Sequence, residues 1–193
     1  HELADGSALS MSVNLSCRQF AQDALVKNIR SILEETAFSP RDLKIEITES
    51  VIFEHAERAI EMLNHLRDLG IDINIDDFGT GYSNLAYLME LPISTLKIDR
   101  SFVSMIDGKG ANDEIVRAIV TLARNLGLKV IAEGIETEVQ LEKLIQLECE
   151  GGQGYFFAKP MNFERLREFL LKENVINIPK GQFEDLPILS SIQ

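Results

Sequence analysis

The residues with the most to offer chemically are acids set beside short apolar runs. Asp76 and Asp77 stand next to each other in Ile75-Asp76-Asp77-Phe78-Gly79-Thr80-Gly81-Tyr82. Adjacent carboxylates repel unless a cation lies between or beside them. The pair therefore reads as an acidic turn entering a glycine loop, or as part of a metal site. Glu46 and Glu49 bracket a second run, Glu46-Ile47-Thr48-Glu49, where a helix N-cap with solvated acids is an equal reading. Asn14 in Val13-Asn14-Leu15-Ser16 is, alone, a polar strand terminus. Brought together, Asn14, Glu46, Asp76 and Asp77 make an oxygen-rich set suited to hard ions such as Mg²⁺ or Mn²⁺. Lys97 in Leu96-Lys97-Ile98-Asp99 is either an ion-pair partner for such a carboxylate or a cation that orients attacking water and steadies phosphate charge. Glu133 in Ala132-Glu133-Gly134-Ile135-Glu136 adds a carboxylate as metal ligand or general base. Two metals held close together suit in-line displacement at a phosphodiester.

Six β-like runs, rich in Ile, Val and Leu, position these groups: 11–15, 43–48, 71–75, 95–98, 129–132 and 154–157. Helical periodicity fills the intervals. Ala56, Ile60, Leu63 and Leu66 recur at threes and fours in 55–69, and Ile115, Ile119, Leu122 and Leu126 do so in 113–126. Gly70 and Gly127 follow as helix stops. Further helices are expected at 18–36, 137–147 and 162–172. Alternating strand and helix implies parallel strands with helical crossovers. An open doubly wound sheet is disfavoured, because no strand is followed by GxGxxG. Asn14, Glu46, Asp76, Lys97, Glu133 and Gln153 fall one per run, within it or at its end. In a (β/α)8 barrel such positions meet at the C-terminal face. The expected fold is therefore α/β, a TIM-type (β/α)8 barrel of which about the last six β/α units are present. A whole barrel takes eight units and ~250 residues, so two strands are expected before His1.

The chain starts at His1 rather than Met and reads as a piece of something longer, with any sensor or membrane anchor outside it. The barrel domain is expected over 1–173. A C-terminal extension over 174–193, marked by Pro179, Gly181 and Pro187, reads as irregular. A net charge of −12 argues against DNA binding, which needs a basic surface. Cys17 and Cys149 form no CxxC pair and point to a reducing, cytoplasmic setting. His1, His55 and His65 have no zinc-site spacing. No apolar run approaches the ~20 residues of a membrane span, and no signal peptide is present.

VNLS, EITES, DDFGTGYSNL, LKIDRSFV, AEGIET and QGYFFAKP, in this order and spacing from about residue 10 to residue 172, resemble the EAL phosphodiesterase family. The resemblance implies hydrolysis of one phosphodiester of cyclic di-GMP to linear pGpG with Mg²⁺ or Mn²⁺, two ions in all. It implies metal ligation by Asn14, Glu46, Asp76 and Asp77, with Glu133 as catalytic carboxylate and Lys97 holding the nucleophilic water. Gln153 resembles the glutamine of the same site, and Glu49 the glutamate that braces the glycine loop. Glu136 and Asp99 are implied as substrate-binding or site-supporting. The loop at 77–82 resembles the element that links a homodimer interface to the metal site.

The chain also departs from the family pattern. The glutamate of the Glu-Ala-Leu signature, and the arginine after it, are not in this sequence. Leu147-Glu148-Cys149-Glu150 replaces the usual glycine and aspartate before Gln153, and Asn84 stands where serine is common. These departures leave a catalytically inactive cyclic-di-GMP receptor or protein-interaction module as the alternative. Acid–base chemistry on carboxylate substrates fits the Asp76-Asp77 pair and the glycine loop poorly. With two strands missing, the isolated chain is expected to have open edges and to be inactive or poorly folded.

Overall fold

The structure is a computed structural model that describes residues 9–54, 56–81, 85–107 and 113–171. Tyr82 and Asn84 of the glycine loop, and the expected extension at 174–193, lie outside the described residues. The chain divides into two compact units, one of them Ser10–Lys97 and the other continuing from Ile98.

In the first unit, β1 (Met11–Asn14), β2 (Leu43–Thr48), β3 (Asp72–Phe78) and β4 (Thr95–Ile98, its last residue in the second unit) lie in chain order. β1 pairs parallel with β2, and β2 with β3, in a register that aligns Asn14 with Glu46, Glu46 with Asn74, and Thr48 with Asp76. Strand alternation sorts the side chains. Leu43, Ile45, Ile47, Ile73, Ile75 and Leu96 share one face and are buried. The opposite face carries Glu46, Asn74, Asp76 and Lys97, and it is polar although also buried.

Helices alternate with these strands along the chain. They are α1 (Cys17–Phe20), α2 (Leu25–Thr36), α3 (Glu49–Glu54), α4 (Ala56–Asp68) and the short α5 (Leu85–Leu88). α4 presents Ala59, Leu63 and Leu66, each fully buried, and each large aliphatic side chain so placed contributes roughly 1.5–3 kcal/mol.

Three expectations need correction here. The helix expected over 18–36 is broken at 21–24, since Phe20 and Leu25 are both buried and five residues of unbroken helix would turn them to different faces. A capping box between Ser16 and Gln19 fixes the first piece. The run at 71–75 extends to Phe78, so Asp76 and Asp77 belong to the strand itself. The helix expected from 55 is preceded by α3, which starts directly after β2.

The second unit holds α6 (Arg100–Val103), α7 (Asp113–Asn125), β5 (Lys129–Glu133), α8 (Glu138–Gln146), β6 (Gly151–Gln153) and α9 (Phe163–Leu171). Val116, Ile119, Val120 and Ala123 make the buried stripe of α7, and Val130 and Ala132 that of β5. Gly70 and Gly127, with φ of 92° and 72°, end α4 and α7 as expected.

The β run expected at 154–157 is not a strand. β6 is Gly151–Gln153, paired parallel to β5 with Glu133 beside Gln153. The chain turns at once: Phe156 N donates to Ile135 O (2.9 Å), and Phe157 N to Gly154 O (3.1 Å). The reason is close backbone approach. A Cβ at Gly154 would overlap the amide nitrogen and carbonyl oxygen of Ile135, so glycine, not β-propensity, places this strand. Cys149 precedes it, and burial pushes its thiol up to about 12, leaving it un-ionised and inert.

Candidate metal and phosphodiester site

In the first unit the polar strand face is organised around one ammonium. Lys97 Nζ donates to Glu46 Oε2 at 2.7 Å and lies 3.0 Å from Asp76 Oδ1. The three side chains are 3%, 6% and 12% exposed, so a buried cation is holding two buried anions. Removing Lys97 would leave both carboxylates uncompensated away from water. The ion-pair reading of Lys97 is thus part of the structure. Asn14, exposed at the end of β1, is the register neighbour of Glu46.

Asp77 has φ of 52°, a left-handed conformation that aspartate tolerates better than most residues. Its amide donates to Asp76 Oδ1 (3.2 Å), and the two carboxylates each bring an oxygen within 4.8 Å of the other. Donors of this kind are all hard oxygens, the chemistry that divalent Mg²⁺ or Mn²⁺ selects. Between Glu46 and Asp76 the compensating cation is the Lys97 ammonium.

The glycine loop is anchored from below. Glu49, 2% exposed, accepts from Gly79 N (3.2 Å). A Cβ at Gly81 would lie 3.1 Å from the Glu49 carboxyl carbon. The bracing expected of Glu49 has this geometric counterpart.

The second unit holds Glu133, Gln153, Glu136 and Asp99. Gln153 Nε2 donates to Glu133 Oε1 at 2.7 Å, from the end of β6 to the end of β5. A half-buried carboxylate is thereby oriented by a neutral donor. Glu136 is exposed and pairs with Arg100 Nη2 (2.8 Å). Asp99, expected to bind substrate or support the site, caps α6 by accepting from Ser101 N (3.0 Å).

Sequence reasoning passed over Asn74. It is 1% exposed, and its Oδ1 has no hydrogen-bond partner among the described residues. Polar residues at 72, 74 and 76 within an isoleucine-rich run carried the signal, a period of two along one strand face.

The family model of the EAL domain matches residues 1–160. The chain belongs to the EAL domain family. This EAL domain is 42% identical over 168 residues, 87% of the chain, to the Cyclic di-GMP phosphodiesterase NbdA of Pseudomonas aeruginosa, of which the match covers 22%. It is 44% identical to a solved structure described as PaMucR Phosphodiesterase, c-di-GMP complex, with a TM-score of 0.78 over 81% of this chain and 64% of that one. The EAL domain of Mycobacterium smegmatis DcpA superposes with a TM-score of 0.82 at 36% identity, over 90% of this chain and 77% of that one. The chain spans between a fifth and a quarter of the length of the curated relatives it matches first. The fold is accordingly α/β of the TIM-type (β/α)8 class, with six of its parallel strands in this EAL domain.

Proposed function

We propose that this EAL domain hydrolyses one phosphodiester bond of cyclic di-GMP to give linear pGpG, using Mg²⁺ or Mn²⁺ as a pair of ions. The observation that carries the reading is the buried Lys97 bridge to Glu46 and Asp76, in a domain similar to proteins named cyclic di-GMP phosphodiesterases. Bound ions would supply Lewis-acid charge at the phosphoryl oxygens and lower the pKa of the attacking water.

The chain's own residues do the rest. Asn14, Glu46, Asp76 and Asp77 hold the ions, and Lys97 orients the water. Glu133, fixed by the Gln153 amide, accepts the proton of that water as its oxygen bonds to phosphorus and the P–O bond to the ribose oxygen breaks. Glu136 and Asp99 bind substrate or support the site, and Glu49 keeps the glycine loop in place. We place the domain end at 173, with 174–193 as an extension. The protein works as a homodimer through the 77–82 region, in the cytoplasm, beneath an upstream sensor or regulatory domain. Among the described residues no helix is long and apolar enough to cross a membrane.

The test is incubation of the protein, within its parent chain, with cyclic di-GMP and Mg²⁺ or Mn²⁺, followed by chromatography of the products. Appearance of pGpG supports the reading, and bound but unconsumed ligand overturns it. Glu133→Gln should lower turnover by about 10²–10⁴-fold while cyclic di-GMP still binds.

A further inference from the structure

The Lys97 bridge spans one strand. Glu46 lies on β2 and Lys97 on β4, and β3 lies between them. To put Nζ 2.7 Å from Glu46 Oε2, the lysine stem must cross the polar face of β3. On that face of β3, Asn74 is in register with Glu46, Asp76 lies two positions further on, and Asp72 two positions before, beside Lys44. Asn74 therefore lies along the path of the ammonium. Its carboxamide is buried, 1% exposed, and Oδ1 has no partner among the described residues. A buried carbonyl left without a donor is unfavourable, and strand β3 would be more stable with an apolar residue there. An acceptor kept at that position points to a donor that visits it.

We propose that Asn74 is a positioning residue for Lys97: when Glu46 and Asp76 turn their carboxylates to a divalent ion, the Lys97 ammonium is taken over by Asn74 Oδ1. The inference rests on the metal-site reading above. Without metal, the ammonium bridges both carboxylates and offsets part of their charge. With metal, the same ammonium becomes an excess positive charge beside the ion. It has to leave the carboxylates without leaving the site, and a neutral acceptor on the same face allows that. One N–H then rests on Asn74, and the others remain available to a water on the open side.

The test uses Asn74→Leu, which keeps the branching and number of side-chain heavy atoms and removes the acceptor, and Asn74→Ser, which restores an acceptor. Mn²⁺ binding is read by electron paramagnetic resonance titration, and folding by thermal melting without metal. Asn74→Leu should melt at or above the wild-type temperature yet bind Mn²⁺ about ten-fold more weakly, the size expected for one hydrogen bond to a charged group. Asn74→Ser should recover part of the affinity. A merely structural asparagine would give the same melting result with unchanged Mn²⁺ affinity, which would overturn the inference and leave the metal site standing. Wild-type protein that binds no Mn²⁺ would remove the metal-site reading and this inference together. A crystal structure with Mn²⁺ bound should place Nζ within hydrogen-bond distance of Asn74 Oδ1, and an ammonium still bridging Glu46 and Asp76 would overturn the proposal.

Discussion

The two units of this EAL domain fix their candidate site groups by different physics. In Ser10–Lys97 the groups are buried and hold one another by charge: Lys97 with Glu46 and Asp76, and Glu49 on the amide of Gly79. In the unit that begins at Ile98 a buried pair, Lys143 with Asp113 at 2.9 Å, ties α8 to α7. Glu133, Gln153 and Glu136 are less buried, however, and the strand ends that carry Glu133 and Gln153 take their position from the backbone. Gly154 lies against the main chain of Ile135, Gly152 lies under the Ile135 side chain, and Gly134 adopts φ of 72° beneath the stem of Arg100. Charge-held geometry is strong but responds to any cation that enters. Contact-held geometry does not depend on ionic conditions. On the proposed reading, in which the ammonium makes way for metal ions, the first device suits the proposed ligands and the second the strand ends that carry Glu133 and Gln153.

The comparison breaks first at Lys97. Lys97→Met keeps the stem and removes the cation, leaving Glu46 and Asp76 buried and unneutralised. Loss of one partner in a buried ion pair costs about 3–5 kcal/mol, so the metal-free variant should show a large fall in Tm. Added Mn²⁺ should return more stability to the variant than to the wild type, since an ion that binds only the folded state stabilises it by mass action. Calorimetry with and without Mn²⁺ checks both statements. A small change in Tm without metal would mean that the first unit is not charge-organised.

Gly154→Ala probes the other unit. The added Cβ meets backbone atoms of Ile135, including the carbonyl carbon at 2.7 Å, and no flexible side chain can move to relieve it. Overpacking of this kind costs about 1–3 kcal/mol. The loss should appear in denaturant unfolding and as faster exchange of the Ile135 and Phe156 amides, which bond across the turn. Raising the salt concentration should leave the size of the loss unchanged.

The same division explains what was legible in the sequence. β2 and β4 have the expected bounds, because Leu43–Thr48 and Thr95–Ile98 carry dense β-branched and aliphatic residues. α7, α8 and α9 follow strong 3.6-residue patterns and depart from expectation only at their ends. β6 was misplaced because Gly151-Gly152-Gln153 has almost no side chain to signal a strand, whereas Tyr155-Phe156-Phe157 has the right composition and forms a turn. Contact with Ile135 decides it, and that contact is distant in sequence. Short helices such as α6 show no periodicity and depend on a cap, Asp99. At the site, Lys97 had two readings, and only geometry shows the bridge. Asn74 looked like one more strand residue until its unpartnered carbonyl was seen.

Arg100 supplies the smallest effect and the sharpest control. Like Lys97 it pairs with a glutamate, at 2.8 Å from Glu136. Unlike Lys97, the partners are 62% and 43% exposed, so water and salt already screen much of their attraction. Arg100→Met retains the stem that lies over Gly134 and removes only the charge. The expected cost is below about 1 kcal/mol, and it should shrink further at high ionic strength. Urea melts of Lys97→Met and Arg100→Met at low and high salt place the two pairs on one scale. If Arg100→Met destabilised as much as Lys97→Met, the second unit would also be held by charge, and the contrast between them would fail. A near-silent Arg100→Met beside a damaging Gly154→Ala would show that backbone contact alone keeps the end of β6 in register with Glu133.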